Sequence, residues 1–323
     1  LFAPVFLSES KNIFGTNTDF SFRWIGYKLS TRFTQKRFPW DNTTLSETLV
    51  SSFLYASGTN IGFRGNAFFE ERRFYTNYTS QIVTLKVGLP FKTYAGFTLD
   101  SRQYFFVRRN PPEGFTMPSD HVNIFPRLDL GIERLTEKGI DQITQGFSLG
   151  AWVGYGIRSK WEPWGEEPAM EETGYARTFA IYSCALTAGA VFRRTHNLVV
   201  RAHYKGGVDN DFLSRPRFGG TIDNANLDVV HGFNIDSFRV EGFALANVKY
   251  AFDLTARLRV NLFLDYARVI DPTPEHVAGS GYGVRILAVG GLPIWITHGI
   301  GRRKLPEPER LEHVVMVMTA AGW

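Results

Sequence analysis

The segment Gln145–Arg158, QGFSLGAWVGYGIR, alternates strictly between two kinds of residue. Phe147, Leu149, Ala151, Val153, Tyr155 and Ile157 fall on one side, and Gly146, Ser148, Gly150, Trp152, Gly154, Gly156 and Arg158 on the other. Side chains return to one face every two residues in a strand and every 3.6 in a helix, so six consecutive same-face apolar positions specify extended β-structure. The pattern recurs. Leu198, Val200, Ala202 and Tyr204 oppose Val199, Arg201, His203 and Lys205; Ile124, Leu128, Leu130 and Ile132 oppose Asn123, Arg127, Asp129 and Glu133; Tyr282, Val284, Ile286 and Ala288 oppose Gly281, Gly283 and Arg285. These segments run about 10–16 residues, beyond the usual ~5–6 of strands in soluble proteins. Their polar faces carry charges and glycines at mid-strand, which suits a wet or filled lumen on one side and lipid on the other.

No run of 18 or more apolar residues occurs, which excludes a transmembrane helix. A closed barrel remains, since it satisfies every backbone group in lipid with strands of only about 9–11 residues. Phe 28, Tyr 13 and Trp 7 make up 15% of the chain, and Gly reaches 31. Rings in that number have a place in the aromatic girdles of a membrane barrel. The net charge of +5 is scattered, with no basic run interleaved with aromatics, so no nucleic-acid partner is expected. The single cysteine, Cys184, cannot form an internal disulfide and says little about compartment. With no starting Met and no basic-then-apolar leader, the chain reads as a mature product whose signal is removed or not included.

Strands are expected near 18–32, 45–57, 59–73, 79–91, 93–108, 122–138, 145–160, 175–194, 196–208, 241–255, 258–271, 279–291, 293–303 and 312–323. The fold class is all-β: a transmembrane antiparallel up-and-down β-barrel of about fourteen strands, within a range of roughly twelve to sixteen. Connections alternate in length. RFTQKRFPWDNTT, RNPPEGFTMPSDH, WEPWGEEPAMEETG and 209–240 read as external loops, and SGTN, FKT, RTHN and GLP as short periplasmic turns. Residues 1–17 read as a periplasmic lead-in or an inserted plug, and 18–323 as the barrel. At the end of the chain, Val315, Val317, Thr319, Ala321 and Trp323 share one face. A terminal aromatic on an alternating last strand resembles the signal by which outer-membrane proteins are recognised for assembly.

The last third carries a more specific pattern. Gly219 and Gly220 form a glycine pair, and His231-Gly232-Phe233 follows. Next come Ala244-Leu245-Ala246-Asn247-Val248-Lys249-Tyr250, then Phe263-Leu264-Asp265, then Gly281-Tyr282-Gly283-Val284-Arg285. This order resembles the end of the BamA superfamily of outer-membrane assembly factors, over about residues 214–323; the strands before it are similar in style only. The resemblance implies a long external loop, 209–240, that folds back into the lumen, with five strands after it. It implies wall residues Asn247, Lys249, Asp265 and Arg285 facing the loop motif. It also implies a Gram-negative outer membrane, a role in assembly or transport of outer-membrane proteins or lipid, and as partners membrane lipid, other outer-membrane proteins or periplasmic factors bearing POTRA domains.

Three departures stand out. The family's loop motif reads Arg-Gly-aromatic and pairs with acidic wall residues; here His231 holds the Arg position and Lys249 the Glu position, while Asp265 remains. A buried charge needs a partner, so Lys249 is expected to pair with Asp265, with His231 making a weaker, neutral hydrogen bond. Ten residues, TIDNANLDVV, separate Gly220 from His231, more than in the family. The family's POTRA domains have no counterpart in at most 17 residues before the first expected strand, so the barrel is read without its own POTRA domains.

No nucleophile elbow, zinc-protease helix or phosphate loop occurs, and the seven histidines lack metal-ligand spacing. The expectation is a non-enzyme without cofactor or metal. Two other readings remain open. One is a passive or plugged pore whose lumen cations Arg64, Arg102, Arg127, Arg158, Arg201, Lys205, Lys249 and Arg285 would favour anions. The other is a homo-oligomeric structural barrel enclosing lipid, in contact through a small-residue strip such as Gly65 and Ala67.

Overall fold

The computed structural model describes all residues except 1–4, 14–16, 26–27, 38–39, 56–58, 65–66, 73, 109–112, 139–142, 165–176, 194, 212, 221–227, 234–237, 271–274, 288–292, 305–309 and 320–323. Twenty strands follow in order: β1 (Val5–Ile13), β2 (Thr18–Ile25), β3 (Lys28–Lys36), β4 (Thr43–Tyr55), β5 (Thr59–Arg64), β6 (Ala67–Arg72), β7 (Phe74–Leu89), β8 (Thr93–Arg108), β9 (His121–Glu133), β10 (Thr136–Lys138), β11 (Ile143–Arg158), β12 (Thr178–Phe192), β13 (His196–Val208), β14 (Arg217–Phe218), β15 (Phe238–Arg239), β16 (Gly242–Thr255), β17 (Leu258–Ile270), β18 (Glu275–Leu287), β19 (Pro293–Lys304) and β20 (Arg310–Thr319). One antiparallel meander runs β1-β2-β3-β4-β7-β8-β9-β11-β12-β13-β16-β17-β18-β19-β20, with β10 beside β11; β5-β6 and β14-β15 are separate hairpins. Among the described residues β1 and β20, the two ends of this path, are not paired with each other.

The sheet sorts its residues opposite to a soluble protein. On β11, Phe147, Leu149, Val153, Tyr155 and Ile157 are exposed, while Gly154, Gly156 and Arg158 are buried. On β17, Leu264 is 62% exposed while its neighbours Phe263 and Asp265 are buried. The buried set includes Arg158, His203, Lys249, Arg259, Asp265 and Arg285. Apolar residues outside and charges inside is the arrangement that lipid around a polar lumen requires.

Five of the expected features take a different form. The segment expected as a lead-in or plug contributes β1, paired with β2 from Val5↔Ile25 to Ile13↔Thr18. Its sequence VFLSESKNI puts Glu9 and Lys11 on the same alternate set as Val5, Leu7 and Ile13, which blurs the signal. The single strand expected at 18–32 is two, β2 and β3, around residues 26–27. The strand expected at 59–73 lies off the main path as β5-β6, and β4 pairs directly with β7. Most of RFTQKRFPWDNTT belongs to β3 and β4, and its turn sits at the short-turn end: Asn42 Nδ2 donates to Gly88 O at 3.0 Å, and Gly88 N donates to Asn42 O at 2.7 Å. Of SGTN, Thr59 and Asn60 open β5 rather than form a turn, and Ser57 and Gly58 lie outside the described residues. The main path thus has fifteen strands, within the expected range.

Candidate functional site: the lumen loop and its anchors

Residues 209–241 connect β13 to β16, and their described parts pack inside the sheet. Phe218, Val230, Phe233, Phe238 and Val240 from this connection form one buried cluster with Phe243, Leu245, Ala267, Val269 and Val277 of the wall. Phe218 stacks on Phe238 at 4.6 Å and tilts against Phe243 at 4.8 Å. Apolar side chains turned inward on β16, β17 and β18 would be misplaced in a water-filled lumen; the loop is what buries them.

The glycine pair makes the entry. Gly219 and Gly220 hold φ of 115° and 118°, a left-handed region that other residues rarely adopt. Gly219 N donates to Asp228 O at 2.8 Å, closing the excursion on itself. Asp228 is then pinned to the wall. Its carboxylate is hydrogen-bonded by His203 Nδ1, and Lys205 Nζ lies 3.2 Å away. Burial pushes the Asp228 carboxyl up, but the His203 hydrogen bond and the Lys205 charge outweigh it and hold the group below the ordinary carboxylate range. With His203 Nδ1–H committed to Asp228, Nε2 is the acceptor for the Ser183 hydroxyl, 2.6 Å away. The same atom order serves hydrolases elsewhere. Here Ser183 is buried at mid-strand, paired with Trp152 and Lys205 on its two sides, and lines neither of the two described cavities. Its hydroxyl therefore fixes the His203 ring.

The tip follows three residues on. Asp265 Oδ2 accepts from His231 N at 2.7 Å and from His231 Nδ1 at 2.6 Å, and Asp265 Oδ1 accepts from Asn247 Nδ2 at 2.7 Å. Asn247 Nδ2 also donates to Val229 O at 2.8 Å. The His231 ring stacks on Phe263, centroids 4.0 Å apart and 13° between planes. Asn247 and Asp265 are direct cross-strand partners, so β16 and β17 present them as one pair. His231 thus meets Asp265 through both its backbone N–H and its ring. Lys249, opposite Phe263 in register, sets its ammonium 6.0 Å from that ring's centroid. An imidazole reaches Asp265 because it stacks flat on Phe263 while the adjacent backbone N–H doubles the bond. Arg285 lies further along β18, buried and opposite Arg259, beyond Gly279 where the tip docks.

The tip needs a wall without side chains. A Cβ on Gly299 would lie 2.3 Å from Gly232 N, one on Gly279 2.5 Å from His231 O, and one on Gly301 2.5 Å from the Phe233 ring. Gly232, at φ 90°, would put a Cβ 1.9 Å from Gly301 N. Glycines on β18 and β19 form a groove that takes the loop backbone. Gly299→Ala is expected to cost about 1–3 kcal/mol as an overpacked contact with backbone that cannot turn aside. The thermal midpoint should fall and the loop should become protease-sensitive, whereas Gly283→Ala, whose nearest neighbour is Thr297 Oγ1 at 3.2 Å, should change little.

The loop also holds the barrel at its base. Arg158 Nη2 and Asp211 Oδ1 are 2.6 Å apart, their side chains 2% and 0% exposed. The guanidinium lies over Trp161 at 4.1 Å and Phe179 at 4.4 Å. Sequence reasoning missed this pair and the Asp228 cluster. The available signal was that Arg158 and His203 fall on the lumen face of alternating strands and need carboxylates; no local spacing says which. Beside the base lies a cavity of about 450 Å³, lined by Arg32, Asp100, Arg102, Asn123, Arg127 and Arg158 among others, with Leu213 and Ser214 of the loop at its edge. Ala321 and Trp323 lie outside the described residues; Val315 and Val317 are exposed on β20, and Thr319 ends that strand. Gly65 lies outside the described residues, as does most of WEPWGEEPAMEETG.

No protein-family model and no curated protein matches the chain. Solved structures do. BamA from Haemophilus ducreyi lacking POTRA domains 1–3 is matched at TM-score 0.60 and 10% identity, over 96% of this chain and 66% of that one. CdiB from Acinetobacter baumannii is matched at TM-score 0.52 and 11% identity, over 96% of this chain and 55% of that one. The chain thus spans about two thirds and just over half of these two proteins. At such identities the likeness is one of fold: the chain is an outer-membrane-type β-barrel of the architecture that BamA and CdiB share.

Proposed function

We propose that this barrel works at a Gram-negative outer membrane in the assembly or transport of membrane proteins or lipid, with loop 209–240 as an inward-folded plug. The observation that supports it best is the loop tip itself: a motif resembling that of the BamA superfamily, doubly hydrogen-bonded to Asp265 and seated in a glycine groove. The short-turn end faces the periplasm and the long loops face outward. Partners on this reading are outer-membrane lipid, other outer-membrane proteins, periplasmic POTRA-bearing factors, or a second copy of the chain.

Depletion in the source bacterium tests the reading. Other barrel proteins or outer-leaflet lipid should fall in the outer membrane while their precursors accumulate; unchanged levels of both would refute it. A second reading, a passive pore, draws support from the cavity of about 450 Å³ beside the loop. Planar-bilayer recording separates the two: a steady, large conductance belongs to the pore, and a closed baseline with brief openings to the plugged barrel.

A further inference from the structure

The described turns of the short-turn end share a feature that the assembly reading does not use. Arg37 lies between β3 and β4, Lys92 between β7 and β8, Arg134 after β9, Arg193 between β12 and β13, and Arg257 between β16 and β17. All five are exposed. With Glu137 and Lys138 of the β9–β11 connection, these described connections carry six cations against two anions, Asp41 and Glu137. At the opposite end both signs occur: the described connections carry Glu113, Asp120, Glu162, Asp209 and Glu241 together with Lys160, Arg177 and Arg215, with Lys160 paired to Glu162 and Arg215 near Glu241.

Backbone geometry makes the cations costly to keep. Arg37, Lys92 and Arg193 hold φ of 59°, 59° and 51°. That left-handed region suits Gly or Asn, and a long side chain there is a conformational burden. Where turn chemistry alone would favour Gly or Asn, the chain places a positive charge. Strained positions of this kind point to a use for the side chain.

Aromatic rings stand beside the charges. Trp40 is 64% and Phe91 81% exposed, at the tips of two adjacent turns. The turns are braced. Asn42 and Gly88 exchange two hydrogen bonds, and Arg134 Nη2 donates to Phe91 O at 3.3 Å. The result is a fixed shelf of rings and cations at the rim of a lipid-facing sheet.

We propose that this collar binds anionic phospholipid headgroups of the leaflet at the short-turn end. It rests on the membrane-spanning reading above. Lipid is favoured over an acidic protein because the cations recur on turns from β3-β4 to β16-β17, most of the way along the strand path. Lipid borders a barrel all round, whereas a single docked protein covers one patch. Exposed rings next to cations are also the chemistry of the membrane interface.

The test uses the full chain folded into vesicles of phosphatidylcholine, alone or with phosphatidylglycerol, with insertion checked by heat-modified gel mobility. Tryptophan quenching by brominated phosphatidylglycerol is then compared with quenching by brominated phosphatidylcholine. A cation near an anionic lipid surface is worth roughly a five-fold preference, so wild type should favour brominated phosphatidylglycerol several-fold at low salt. The triple variant Arg37→Asn, Lys92→Asn, Arg193→Asn should insert as well as wild type, since Asn accepts the left-handed backbone. It should lose most of the preference, as should wild type at high salt. Equal quenching by the two lipids, or an undiminished preference in the triple variant, overturns the collar. Failure to insert into either vesicle instead overturns the membrane-spanning reading.

Discussion

Asp265→Ala is expected to release the loop tip and lower barrel stability by several kcal/mol. Asp265 is 2% exposed and accepts from His231 N, His231 Nδ1 and Asn247 Nδ2. At roughly 1–3 kcal/mol for each of the three buried donors left without this acceptor, the loss reaches about 3–9 kcal/mol before the loop relaxes. Relaxation would carry Val230 and Phe233 out of the buried cluster and leave Phe243 and Leu245 facing water. Asp265→Asn should rescue little, because the new NH₂ group faces His231 or Asn247 donor to donor. His231→Ala keeps the backbone N–H and should cost less, about 1–2 kcal/mol. Urea-induced loss of the compact gel form, with protease mapping of 209–240, measures all three. Lys249→Ala is the sharp control. Asp265 also holds His231 and Asn247, so Lys249→Ala should cost less than Asp265→Ala, and equal losses would make Lys249 the main partner of that carboxylate.

The anchoring of His231 shows what a sequence of this kind reveals. Periodicity of two is a local property, so the faces of β11 were legible residue by residue: Phe147, Leu149, Val153, Tyr155 and Ile157 are the exposed set. The position of the loop motif was legible because its order along the chain resembles a known family, and the five strands expected after it are β16 to β20. That the His231 backbone joins its ring on Asp265 was not legible. That depends on a ring stacking on Phe263 and on a backbone N–H, and neither carries a side-chain signature. His203 and Asp228 are 25 residues apart and Arg158 and Asp211 53 apart, so only folding brings each pair together. Alternation failed where charges interrupted it, in β1, and where a hairpin continued the β pattern off the main sheet, in β5-β6.

Asp211→Ala should act at the other end of the same loop, with an effect of similar size and a different readout. The Arg158–Asp211 pair is sealed, and removing one partner of a buried ion pair typically costs about 3–5 kcal/mol because the other charge is left uncompensated. Here the stranded guanidinium would stay wedged between Trp161 and Phe179, away from water. Asp211 also starts the turn that opens the loop: its carboxylate accepts from Ser214 N at 3.0 Å, and its carbonyl accepts from Ser214 N and Arg215 N. Leu213 and Ser214 border the cavity of about 450 Å³, so loosening this turn should widen the passage beside the plug. Asp211→Ala is therefore expected to raise bilayer conductance as well as lower stability, whereas Asp265→Ala frees the tip. The double variant Arg158→Leu, Asp211→Leu separates charge from shape: an apolar pair in a buried site is often neutral or stabilising, so stability should return. If the single variant lost less than about 1 kcal/mol, the pair would be behaving as a solvated surface bridge, and the loop would be held by its tip alone.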